Sequence, residues 1–194
     1  MFVRDRCLLG FALPLTQEDF FNDLDPRSDK DYAKSRKRKL RFNNIALWET
    51  DHMPVIKLFN DLKNELQAFD ITIKTEFKLA DFSMITGYDV VTIVSHYMDK
   101  KGQVELYDGL FSVDNIISTI PSGYQGLFDL TICDSTILQD ALNRHAKKTL
   151  VVANRDATHL DLRLILYKNI IKYMNAKNVN YGEAAVKVRM MLLE

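Results

Sequence analysis

The 194-residue chain carries 26 basic and 26 acidic side chains, so its formal net charge is zero, and 47% of its residues are hydrophobic against 27% charged. That length supports one domain, residues 1–194, with a substantial core. The charge balance excludes a global field that draws nucleic acid or an anionic membrane, and no apolar run approaches the ~18 residues of a membrane helix.

The opening MFVRDRCLLGFALPL has Arg4 and Arg6 before a short apolar run. Asp5 interrupts the basic part and no small-x-small cleavage site follows, so residues 2–13 read as a core strand rather than a signal peptide. Residues 19–44 read as a polar, broken loop or insertion. Within it, KSRKRKLR (Lys34–Arg41) is basic at six of eight positions. Such a run suits a nucleic-acid patch, a protease-sensitive loop or a solvated surface, and the neutrality of the chain favours the last. Two cysteines far apart, Cys7 and Cys133, do not make a disulfide framework; the expected setting is reducing and cytoplasmic.

Pro54 opens a helix, with Asp51 as its expected cap, and Val55, Phe59, Leu62 and Leu66 make one apolar stripe. In DITIKTEF (70–77), Ile71, Ile73 and Thr75 alternate with polar residues, which predicts a strand. KLADFSMITGY predicts a short helix ended near Gly87. Val90–Val94 is a continuous β-branched run, the mark of a strand buried on both faces. A turn at MDKKG and a short strand QVELYDG follow. Ser112 then caps a helix to about Thr119, with Asn115 three residues on. Pro121, Gly123 and Gly126 mark a loop, and Leu127–Ile132 is another buried strand. A helix from Ser135 to about Lys148, a strand at TLVVAN (149–154), a helix from Thr158 to Tyr173 and a helix from Tyr181 to Leu193 complete the chain. Strands alternating with helices predict crossover units, hence a three-layer α/β/α sandwich on a mostly parallel sheet.

In open sheets of this kind ligands bind beyond the carboxyl ends of strands. His96 and Cys133 both stand at such ends. If their strands are neighbours, both side chains emerge at one rim, the geometry a Cys–His pair requires: the imidazole takes the thiol proton and returns it to the leaving amine, while backbone N–H groups hold the oxyanion. His52, His145 and His159 show no metal-ligand spacing and are expected at the surface. Tyr88, Tyr97, Tyr107 and Tyr124 are expected near the active edge.

The order strand, Ser95-His96, polar turn, Gly102, strand, Asp108, helix, strand, Cys133-Asp134-Ser135, helix, strand resembles the caspase-like peptidases of clan CD. It is most similar to the branch called CHAT. The downstream stretch from TLVVAN to GEAAVKVRMML is also similar, so the resemblance covers roughly residues 50–194 in order of elements. It implies a caspase-like fold and a cysteine endopeptidase acting on a protein or peptide substrate, without metal or cofactor. His96 is implied as general base and Cys133 as nucleophile, its amide supplying one oxyanion donor. Asp134 and Asp156 are implied as acids facing the first substrate side chain. The family's Gly after the His is Tyr97 here, expected to narrow the cleft, and the caspase Gln-Ala-Cys-x-Gly signature is replaced by Thr-Ile-Cys-Asp-Ser. The resemblance further implies an activating partner protein and a role in bacterial signalling or defence. The alternative is a degenerate CHAT-like interaction domain; a nucleic-acid module built on Lys34–Arg41 is a third reading.

Overall fold

The apolar runs of the sequence lie side by side at the centre of one sheet. The computed structural model describes residues 5–22, 48–98, 102–132, 135–153 and 159–191. The basic run Lys34–Arg41 lies outside the described residues. In chain order the strands are β1 (Cys7–Phe11), β2 (Thr72–Thr75), β3 (Val90–Val94), β4 (His96–Met98), β5 (Gln103–Leu106), β6 (Gly109–Ser112), β7 (Leu127–Thr131) and β8 (Leu150–Val152). The α-helices are α1 (Gln17–Asn22), α2 (Met53–Gln67), α3 (Val113–Thr119), α4 (Thr136–His145), α5 (Leu160–Lys177) and α6 (Tyr181–Met191).

Five strands form a parallel sheet in the order β2-β1-β3-β7-β8, and β4-β5-β6 form a separate antiparallel ribbon. β1 and β3 are buried at every residue, as their unbroken apolar runs predict for strands covered on both faces. The chain adds β2 on one side of β1 and every later sheet strand on the other. The order therefore reverses between β1 and β3, which is where α/β sheets open a crevice at their carboxyl ends.

Period-two alternation divides the sheet residues between two cores. Leu9, Phe11, Val90 and Val94 face α2, α5 and α6. Leu8, Val91, Ile93, Phe128 and Leu130 face α3, α4, the β4-β5-β6 ribbon and a 3₁₀ segment at Leu79–Gly87. The result is a three-layer α/β/α sandwich. Phe11 stacks on Phe59 of α2 at a centroid separation of 3.9 Å, and each such fully buried side chain contributes about 1.5–3 kcal/mol. On α2 the buried stripe is Ile56, Phe59, Leu62 and Leu66, with Val55 at its margin.

Several local expectations are corrected. The cap of α2 is His52, not Asp51, because a turn of π-helix over Trp48–His52 runs directly into it. Residues 103–112 form two strands, β5 and β6, rather than one. α4 stops at His145 because Ala146 leaves helical geometry (φ −122°, ψ 77°). α5 runs on to Lys177, where Asn178 ends it in the left-handed region (φ 55°). The Ser112 cap is as expected: its hydroxyl accepts from the Asn115 N–H at 3.2 Å. Among the described residues no helix is long and apolar enough to cross a membrane.

Candidate functional site

The carboxyl ends of β1, β3 and β7 stand level. Phe11 pairs with Val94, and Val94 pairs with Thr131. Two bonds carry the ladder one residue further: the Ala12 N–H donates to Val94 O at 3.0 Å and the Ser95 N–H to Thr131 O at 3.4 Å. His96 follows Val94 by two residues, and Cys133 follows Thr131 by two. The sequence thus departs from two paired parallel neighbours at equal distance from the last paired residues. Cys133, Asp134 and Asp156 lie outside the described residues. His96 and Tyr97 are described as backbone, in β4.

The ribbon fixes how the chain leaves β3. Ser95 is fully buried and its hydroxyl donates to the main-chain carbonyl of Glu105. Immediately after it, β4 pairs antiparallel with β5 so that His96 opposes Glu105 and Tyr97 opposes Val104. Val104 and Leu106 sink into the core beneath the sheet, which anchors β5. Asp108, in the turn between β5 and β6, accepts the Leu79 N–H at 3.1 Å, and the Tyr107 N–H donates to Phe77 O at 3.0 Å. These bonds tie the ribbon to the 3₁₀ segment. Glu105 is 6% exposed, an uncommon state for a carboxylate.

A second buried carboxylate lies under α6. Asp129 of β7 accepts a hydrogen bond from the Tyr181 hydroxyl at 2.7 Å, and Arg189 Nη2 stands 3.6 Å from the same oxygen. Burial raises the Asp129 carboxyl above its ordinary value, while the Tyr181 hydrogen bond and the charges of Arg189 and Arg163 pull the other way. The Tyr181 phenol is driven up by burial and then by the Asp129 charge, so it keeps its proton and remains the donor.

A cavity of about 580 Å³ opens at the opposite rim, where the strands begin. Val90, Leu127 and Leu150, the first residues of β3, β7 and β8, contribute to its wall. Tyr88 and Tyr124, expected near the active edge, line this cavity instead, at the amino ends of β3 and β7. His145, expected at the surface, is half-buried with a ring nitrogen 2.6 Å from Ile120 O. His52 is half-buried against Phe20 and Trp48, with the Phe20 ring centroid at 4.5 Å. His159 is exposed as expected.

Sequence reasoning missed Glu105 and Asp129 because each sits inside a strand, where its partners are set by register and tertiary packing and not by its neighbours in sequence. Glu105 became notable only through its register with His96, and Asp129 through a tyrosine far along the chain. No family model, no curated protein and no solved structure matches this chain.

Proposed function

We propose that the chain is a cysteine endopeptidase in which Cys133 is the nucleophile and His96 the general base, as its resemblance to the caspase-like CHAT branch implies. The observation that carries this reading is the register of β3 and β7: parallel neighbours whose last pair is Val94 and Thr131, with His96 and Cys133 each two residues beyond. In the proposed reaction His96 takes the Cys133 proton and the thiolate adds to the scissile carbonyl carbon. The carbon–nitrogen bond breaks, the amine leaves with the proton from His96, and a thioester remains. Water, deprotonated by His96, adds to that thioester; the carbon–sulfur bond breaks, releasing the carboxylate and restoring the thiol. The Cys133 amide donates to the oxyanion in both halves.

Glu105 enters as a positioning residue. It is buried and directly opposite His96, and a carboxylate held there selects the tautomer and orientation of the imidazole, as the acid does in hydrolytic triads. Asp134 and Asp156 are proposed to face the substrate side chain, and Tyr97 to bound the cleft. An activating partner protein fits the same resemblance. The test is a peptide-library digest with Cys133→Ala as control: the account expects discrete cleavage that the variant lacks, and cleavage by the variant at the same bonds contradicts it.

A non-catalytic CHAT-like interaction domain is the second reading. The observation that favours it is the amino-rim cavity, which lies at the far end of the strands from His96 and is lined by no cysteine, serine or histidine among the described residues.

A further inference from the structure

We propose that the cavity at the amino-terminal rim of the sheet binds a neutral sugar, a pyranose presenting neighbouring hydroxyls. The site is separate from the proposed dyad, since the length of a five-residue strand, roughly 15 Å, divides the two rims. Its volume of about 580 Å³ falls within the range of small-molecule pockets.

Two glycines on the wall are not required by the fold itself. Gly123 and Gly182 both line the cavity. Neither has the positive φ that reserves a position for glycine. A Cβ at Gly123 would meet nothing within 4 Å, and one at Gly182 only Asn180 Oδ1 at 3.4 Å. Gly182 is moreover the second residue of α6, where alanine is the better helix former. Bare backbone under open space, where neither conformation nor packing needs it, is what close approach of a ligand requires.

The hydrogen-bonding state of the wall points the same way. At the start of α6 the Tyr181 N–H donates to Asp5 Oδ2 at 2.7 Å, the Glu183 N–H to Asn180 Oδ1 at 2.8 Å and the Ala184 N–H to Asn180 O at 3.0 Å. The Gly182 N–H, between them, has no acceptor among the described residues and stays open as a donor. Asp5, bonded to the neighbouring amide through one oxygen, keeps the other as an acceptor. A donor and an acceptor side by side suit a hydroxyl, which donates one bond and accepts two.

Charge selects against ions. Asp89 is paired with Arg6 through the guanidinium at 3.2 Å and the main-chain N–H at 2.8 Å, and Asp5 stands at the positive end of α6. Both carboxylates are compensated within the protein, so the cavity calls for no charge on its ligand. The exposed polar side chains of Thr86, Gln125 and Asn180 come from the 3₁₀ segment, the loop before β7 and the entry to α6. Hydroxyls around a sugar ring use such a perimeter, whereas a nucleobase needs its bonds on one edge and apolar cover on both faces. Of the two tyrosines on the wall, Tyr124 packs into the core against Phe128 at 5.2 Å, which leaves Tyr88 for the C–H face of the sugar.

The test is a titration of the full chain with methyl glucoside, methyl mannoside and methyl galactoside, followed by amide NMR. At least one glycoside is expected to shift the Gly182 amide saturably, and adenosine, agmatine and malonate are expected not to. Gly182→Ala and Gly123→Ala are expected to bind that glycoside about tenfold more weakly. Their urea midpoints are expected to equal or exceed that of wild type, because the added methyl meets open space. Cys133→Ala is expected to bind as wild type, so this site and the peptidase reading are judged separately. No saturable shift with any of the glycosides, equal binding by both alanine variants, or preferential binding of adenosine or either ion would overturn the proposal. So would alanine variants whose loss of binding follows a loss of stability.

Discussion

His96 opens β4 directly opposite Glu105 of β5, and Ser95, one residue earlier, is hydrogen-bonded to the main-chain carbonyl of that same Glu105. The strand that ends at Val94 is therefore handed to a ribbon whose opposing residue is a buried acid. If Glu105 orients the imidazole, Glu105→Gln lowers kcat by about 10²-fold, within the range of a positioned proton-transfer group. The effect is expected in kcat rather than KM, with a shifted acidic limb in the pH–rate profile. An unchanged profile with activity lost in proportion to folded protein assigns Glu105 a packing role only.

The Asp129–Tyr181 pair docks α6 on the sheet. Tyr181→Phe removes the 2.7 Å hydrogen bond and leaves a buried carboxylate oxygen without that donor, at a cost of about 1–3 kcal/mol. Urea unfolding followed by circular dichroism measures it, and a change under half a kcal/mol contradicts the assignment.

Asp129 also sets a pH dependence. Its folded pKa lies above the ordinary value of 3.8 because burial penalises the charge. The folded chain therefore holds this proton more tightly than the unfolded chain. The resulting stabilisation is full below the ordinary pKa and is lost as pH rises through the folded one. Asp129→Asn keeps an oxygen for Tyr181 but cannot ionise. The variant is expected to lose less stability than wild type as pH rises above the ordinary carboxyl value, measured as urea midpoints against pH.

Gly10 of β1 is held by close packing. A Cβ there would stand 2.6 Å from Phe77 Cδ2 and 2.9 Å from Ile93 Cδ1, both in the core beneath the sheet. Gly10→Ala is expected to destabilise by about 1–3 kcal/mol, and Phe77→Leu in the same chain to return part of that loss. A double-mutant cycle reads the coupling; additive effects deny the contact.

Long apolar signals were legible in the sequence. The β-branched run Val90–Val94 and the largely apolar run at Leu127–Ile132 specify buried strands, and Ser112 with Asn115 specifies a cap. Local chemistry alone decides those features. β6 was not legible, because Gly109–Ser112 is four residues between a turn and a cap, and it becomes a strand only by pairing with β5. The amino-rim cavity was invisible for a related reason: Asp5, Asp89 and Asn180 meet only through strand register and the docking of α6. His96 and Cys133 read as strand ends in the sequence, whereas β3 ends at Val94 and His96 opens β4, and Cys133 lies outside the described residues; the level register of β3 and β7 is a fact of the sheet that no local pattern encodes.

The most direct measurement of the central claim is the rate at which an electrophilic peptidyl probe alkylates Cys133 as a function of pH, in wild type and in His96→Ala. A thiolate paired with an imidazole gives fast labelling that persists to about one to several pH units below the ordinary thiol range, and the His96 variant loses it. Slow labelling that follows an ordinary thiol titration in both proteins contradicts the peptidase account.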